Sequence, residues 1–259
     1  MRNFLTHFLL IFCFLSSLKA QPPFELKTPA DLSIAGTCIA LGTSSFFIHQ
    51  NDSNLTETDI QALDFQDISK FDRKATQNWS PVMAHLSDAG LLLCVVSPSL
   101  LFISPEVRND ASVFTVMTAE NILSTLALTL FTKTTVRRIR PYVYNSQVPI
   151  EEKFKPDAKR SFFSGHTSLA FCSAVFTSTV FSKYHPDSPL RPWIWSSSLV
   201  LASGVGYLRF AAGKHFPTDI IVGAIVGSAV GYAIPKLHQM KSKKQPQDRV
   251  FAFSFYIPL

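Results

Sequence analysis

An all-α fold is what this sequence predicts, a polytopic transmembrane bundle of about five to six helices, and three observations predict it. Only 16% of its residues are charged and 47% are hydrophobic, against roughly 25% charged in soluble proteins. Mean hydropathy is positive, at +0.19. The apolar residues also fall into runs long enough to cross a hydrocarbon core of about 30 Å at about 1.5 Å per residue.

Four regions follow in order. Residues 1–20, "MRNFLTHFLLIFCFLSSLKA", carry an early Arg, an apolar centre and a small residue at Ala20. They read as a secretory signal cleaved before Gln21, or as an uncleaved anchor, because Leu18 fits the cleavage pattern poorly. Residues 21–82 hold a weak apolar segment at 32–48, diluted by Gly36, Thr37, Gly42 and Thr43. It lies near the lower limit of about 17 residues for a spanning helix, and is expected not to span. An acidic loop follows it, with Asp52, Glu57, Asp59, Asp64, Asp67 and Asp72.

The bundle itself occupies 83–238, with apolar runs at 83–104, 113–132, 164–182, 193–212 and 217–237. Pro81, Pro192 and Pro217 stand where a first helical turn accepts proline. Trp79, Trp193 and Trp195 stand at segment edges, as interfacial aromatics do. The last region, 239–259, is a basic tail followed by "FAFSFYIPL", to which no role is assigned.

The net charge of +6 is modest, and Lys and Arg concentrate at 133–160 and 236–249, beside apolar segments. That placement excludes a nucleic-acid partner, which calls for a basic patch on a soluble fold. Phosphate groups and lipid headgroups fit it. Cys13, Cys38, Cys94 and Cys172 lie inside apolar stretches without pairing or metal-ligand spacing, and read as small core hydrophobes.

Polar residues interrupt the apolar pattern at particular ends. "KTTVRRIRP" closes the third helix and supplies Lys133 and Arg140. "SGH" opens the fourth with Ser164, Gly165 and His166, and "RFAAGKHFPTD" joins the fifth to the sixth with Arg209, His215 and Asp219. In a serpentine bundle these ends share one membrane face. A polar triplet at a buried helix start needs partners, and this convergence provides them.

Lys133, Arg140 and Arg209 offer positive charge suited to phosphate oxygens. Gly165 lets backbone N–H groups at a helix start approach an anion. Two histidines supply what phosphoryl transfer then needs, a nucleophile and an acid. Asp219, four residues after His215, can hold one ring nitrogen. No cluster has the makings of a di-metal site, so charge neutralisation falls to Lys and Arg, and no metal or cofactor is expected.

Together these stretches resemble the three signature motifs of the type 2 phosphatidic acid phosphatase superfamily, in its membrane-bound lipid phosphatase branch. The motifs are Lys-x6-Arg-Pro, Pro-Ser-Gly-His and Ser-Arg-x5-His-x3-Asp, and the likeness covers roughly residues 83–237. Phe163 stands where the second motif has proline and Leu208 where the third has serine; neither position carries the chemistry. The resemblance implies a metal-independent hydrolase of lipid phosphate or diphosphate monoesters that works through a phosphohistidine. By position, His215 would attack phosphorus, Asp219 would orient it and His166 would protonate the leaving oxygen. Lys133, Arg140, Ser164, Gly165 and Arg209 would hold the phosphoryl group.

Two other readings remain at this stage. A vanadate-dependent haloperoxidase has a similar oxyanion pocket, but the apolar helices and short chain count against it. A non-catalytic protein that binds anionic lipid would not need His166, His215 and Asp219. Arg137 and Arg138 read as a positive flank, and His185 and His238 as loop or tail residues. His85 and Asp88 carry no clear assignment. Glu120, an ionisable group inside an apolar run, is a functional candidate by default.

The basic tail predicts a cytoplasmic C-terminus in the cell membrane, and so a site facing the extracytoplasmic side. A lipid phosphate substrate is expected because the motif-bearing ends lie at an interface flanked by Trp193 and Trp195. The sequence does not specify an oligomeric state.

Overall fold

The structure, a computed structural model, describes residues 22–50 and 52–240; the leader at 1–20 and nearly all of the basic tail lie outside them. Six long helices dominate: α1 (Thr28–Gln50), α2 (Pro81–Val96), α3 (Ala111–Val136), α4 (Gly165–Tyr184), α5 (Arg191–Ala211) and α6 (Pro217–His238). A 3₁₀ turn, Ser97–Ile103, prolongs α2. No strand occurs among the described residues; the only β feature there is an isolated bridge between Phe24 and Gln239.

Local chemistry sets the helix ends. Ser80 caps α2, accepting from the Met83 N–H, with Pro81 in the first turn. Ser164 caps α4 in the same manner, accepting from Thr167. Arg137 ends α3 in the left-handed region at φ 53°.

Among the described residues, four stretches are long and apolar enough to cross a membrane: Thr28–Gln50, Pro81–Ile103, Ala111–Tyr144 and Pro217–His238. The protein is a multi-pass membrane protein. The weak apolar segment at 32–48 belongs to a longer helix than its apolar run suggests. The helix there runs 23 residues, about 34 Å at 1.5 Å per residue, and its Thr and Ser side chains bond their own backbone. Ser33, Thr37 and Ser45 each donate to the carbonyl four residues earlier.

α4 is the axis of the bundle, in contact with α2, α3, α5 and α6. Its buried Ser168, Ser173, Thr177 and Ser178 make it less apolar than a lipid-facing helix. Small residues also let α6 come close. Gly223, Gly227 and Gly231 lie on one side of α6, where an added Cβ would run into the carbonyl oxygens of Ser164, Ser168 and Cys172 respectively. Small residues four apart bring helix backbones together in this manner.

The topology places the end of α3, the start of α4, the end of α5 and the start of α6 at one end. Trp193 and Trp195 sit in the first turns of α5, a helix length from Arg209. Their expected position beside the motifs is therefore wrong; only Trp79 lies at the motif end, packed on Tyr142. Residues 52–80 and 141–160 fold over that end. Leu55, Tyr142, Val143, Val148 and Ala158 form one small core there, and Ile68, Ala75 and Phe216 another. Cys38, Cys94 and Cys172 are free thiols.

Candidate active site

His215 is fully buried in the turn between α5 and α6. Gly213, at φ 70°, makes that turn possible, and a side chain there would strike the Asn78 carbonyl. The Nη1 of Arg140 donates to His215 Nε2 at 3.2 Å. An arginine has no acceptor, so Nε2 must hold its lone pair and Nδ1 its proton. Burial and then the cations Arg140, Lys133 and Arg209 hold the His215 pKa well below the ordinary imidazole range. The ring is neutral, with its lone pair turned toward positive charge.

Arg140 is clamped by its loops. It donates to the Asp157 backbone and side chain at 2.8 and 2.7 Å, and to the Lys214 carbonyl at 2.8 Å. Lys133 reaches past Gly165 to the Arg160 carbonyl; a Cβ on Gly165 would lie 3.7 Å from Lys133 Cε and 3.0 Å from Thr129 Cγ2. Arg209, from the end of α5, donates to Ser87 Oγ at 3.1 Å and lies 3.5 Å from Asp88 Oδ1. Ser164 accepts from both the backbone and the hydroxyl of Thr167, which leaves its own O–H free to donate.

His166 projects from the first turn of α4, with Nε2 2.7 Å from Asp88 Oδ1. A carboxylate accepts, so Nε2 carries a proton. The residue without a sequence assignment, Asp88, thus holds the second histidine in place from α2.

Asp219 differs from expectation. Its Oδ2 lies 3.7 Å from His215 Nδ1, beyond hydrogen-bond length. That oxygen is already engaged by Ser161 Oγ at 2.5 Å and the Phe216 N–H at 2.9 Å. Its other oxygen takes Arg138 Nη1 at 2.6 Å. Arg138 is therefore no mere positive flank. It also donates to Asp72 Oδ2 at 2.8 Å and lies over the Phe216 ring, 4.1 Å from its centroid. Asp72 in turn accepts from the N–H and O–H of Thr218. Burial alone would raise the Asp72 pKa, but these bonds from Thr218 and Arg138 keep it below the usual carboxylate range.

Among the described residues, Arg160 Nε, Arg209 Nε and His215 Nδ1 are buried polar atoms of this region without a hydrogen-bond partner. The two arginine atoms are donors that an anion's oxygens would satisfy. All eight residues singled out in the sequence lie at this end. Arg138, Asp72, Ser161, Ser87 and Asp157 were missed. A second arginine two residues before Arg140 was the one visible signal for any of them.

A helical membrane protein with a cationic pocket around two histidines at one end is the class that fold and site define. A family model for the PAP2 superfamily matches residues 112–243, just over half of the chain, and the chain belongs to that superfamily. Over 97 residues it is 32% identical to the probable diacylglycerol pyrophosphate phosphatase 1 of Schizosaccharomyces pombe, covering 36% of this chain and 35% of that protein. Over 81 residues it is 39% identical to the lipid A 4'-phosphatase of Porphyromonas gingivalis, covering 31% and 30%. The chain thus matches about a third of the length of these curated relatives. A PAP2-type phosphatidylglycerolphosphate phosphatase from Bacillus subtilis superposes with a TM-score of 0.49 at 20% identity, over 78% of this chain and 95% of that one.

Proposed function

We propose that this protein is a membrane phosphatase that hydrolyses phosphate or diphosphate monoesters of lipids through a phosphohistidine on His215, without a metal. One observation carries the reading. A neutral, fully buried His215 presents its Nε2 lone pair among Lys133, Arg140 and Arg209. Three fixed cations supply the charge neutralisation that phosphoryl transfer requires.

In this reading the phosphoryl oxygens lie against Lys133, Arg140, Arg209 and the N–H groups at the start of α4. The Arg140 Nη1–H turns from His215 Nε2 to a phosphoryl oxygen, which frees the lone pair. Nε2 attacks phosphorus and the bond from phosphorus to the leaving oxygen breaks. Burial and Arg209 disfavour a second proton on His166 in the free site, and the negative charge of the bound phosphate restores it. Protonated on both nitrogens in this step, His166 gives the leaving oxygen its Nε2 proton. His166, now neutral, takes a proton from water, whose oxygen attacks the phosphohistidine. The P–N bond breaks, phosphate leaves and His215 returns to its starting form.

The lipid assignment draws on the membrane helices around the pocket and on the lipid phosphatase names of the relatives. Acyl chains add about 0.8 kcal/mol per buried methylene, which can be spent on placing the phosphate for attack. The test is phosphate release by the purified protein in detergent, from a long-chain lipid phosphate and from a short soluble ester. Higher kcat/KM for the lipid, full loss in His215→Ala and unchanged initial rates in EDTA are expected. Equal turnover of the soluble ester refutes the lipid substrate, and loss in EDTA restored by a divalent ion refutes metal independence.

A further inference from the structure

At the end of the bundle away from His215, three residues from three helices meet: Asp31 in the first turn of α1, Glu120 in α3 and His238 in the last turn of α6. His238 Nε2 lies 2.8 Å from Asp31 Oδ1 and 3.3 Å from Glu120 Oε2. The three ligating atoms lie within 4.8 Å of one another. His238 is no tail residue, as its place in the sequence implied, but is fully buried.

We infer that this cluster is a divalent-cation site of the zinc or manganese class, separate from the phosphatase pocket. Four observations support it. His238 Nδ1 lies 3.0 Å from the Ile234 carbonyl, so it carries a proton there. Metal-binding histidines are typically oriented by such a bond, which leaves the other nitrogen to the ion. Glu120 Oε2 is buried and has no hydrogen-bond partner, because a single proton on Nε2 cannot serve two carboxylates at once. Among the described residues, neither Asp31 nor Glu120 pairs with a Lys or Arg. The nearby Lys27 is turned to the carbonyls of Leu237 and Gln239.

Charge then decides. An imidazolium between two carboxylates leaves one negative charge in a largely buried place, which is costly. A divalent ion with a neutral imidazole balances both carboxylates, and one nitrogen with two oxygens suits zinc or manganese. Such an ion would fasten α1 to α3 and α6 without touching the catalytic residues.

The experiment uses the full chain in detergent, carried on an affinity tag without histidine. Metal content is measured by mass spectrometry, and Co²⁺ titration is followed by visible absorption with Zn²⁺ displacement. About one ion per chain is expected, and His215→Ala should bind it as the wild type does. Glu120→Gln and Asp31→Asn should each weaken it by at least about tenfold. No stoichiometric Zn²⁺, Mn²⁺ or Co²⁺ in the wild type, or binding unchanged in both carboxylate variants, overturns the site and leaves an imidazolium triad. Because His215→Ala binds the ion without turnover, failure here is separable from failure of the phosphatase reading.

Discussion

Arg138 holds Asp219: its Nη1 lies 2.6 Å from Asp219 Oδ1, and Nη2 of the same guanidinium reaches Asp72 2.8 Å away. Asp219, wholly buried, is fixed by that fork, by Ser161 and by its own helix start before it meets His215. Arg138 is thus a positioning residue. Arg138→Ala should lower kcat by about 10²-fold with little change in KM, as small misplacements of reacting groups do. Arg138→Lys, which keeps the charge but not the fork, should rescue only part. Lower thermal stability with kcat intact would mean that Arg138 merely braces the loop.

The pH profile should carry the mark of His215. Its folded pKa is held down by burial and then by Arg140, Lys133 and Arg209, so the neutral form, the one that attacks in the proposed mechanism, persists below the ordinary imidazole value of about 6.5. Lys133→Met removes one depressing charge and should move the acid limb of kcat/KM upward, measured against wild type with one substrate. An unmoved limb would count against His215 as the titrating nucleophile. The sign for stability follows from the same shift. Below the unfolded pKa the unfolded chain binds a proton at His215 that the folded chain does not. Stability contributed by the neutral ring is therefore lost as pH falls from that value toward the folded pKa, and His215→Gln should flatten that loss.

Gly227 and Gly204 should respond in opposite directions to alanine. A Cβ at Gly227 meets the Ser168 carbonyl, whereas Gly204 on α5 has open space around it. Gly227→Ala should cost about 1–3 kcal/mol as overpacking, and should lower kcat by moving α4 away from α6. Gly204→Ala should add about 0.5–1 kcal/mol from helix entropy. Denaturation in detergent, monitored by helical content, checks both; equal effects would remove the close-packing argument.

The site is expected to face the extracytoplasmic side. The Glu25 N–H bonds the His238 carbonyl and the Met240 N–H bonds the Pro23 carbonyl, so both ends of the described chain lie at the end opposite the pocket. Exposed Glu151 is at the pocket end. A Glu151→Cys variant should react with an impermeant maleimide on intact cells. Protection until lysis would reverse the orientation, and a mature N-terminus at Gln21 would accompany that reversal, because α1 is long enough to cross.

The motif residues were legible because helix ends in a serpentine bundle alternate between two faces, so that counting helices alone groups Lys133, Ser164, Arg209 and His215. The length of α1 was not, because its end turns, 28–31 and 49–50, are polar and lie outside the apolar run. Asp72 was illegible for another reason. It belongs to an acidic loop in which Asp64 and Asp59 are spent on nearby N–H groups while Asp52 crosses to Arg137 and Lys159. Nothing local separates the one that crosses to Arg138 and Thr218. His238 was misread because three residues beyond it the sequence becomes a basic strip, which hides a helix end buried against α1 and α3.

The contact between α4 and α6 includes direct main-chain approach, with Gly223 under Ser164 and Gly227 under Ser168. Lipid-facing helices answer a thicker or thinner bilayer by tilting; α1 packs on α3 and is held at its first turn by the contact of Asp31 with His238. Where Gly223 and Gly227 meet α4, the pair that carries His166 and Asp219 has no compressible side-chain layer between its axes. Its spacing is a fixed dimension of the molecule, so the catalytic geometry should hold constant across membranes whose thickness differs.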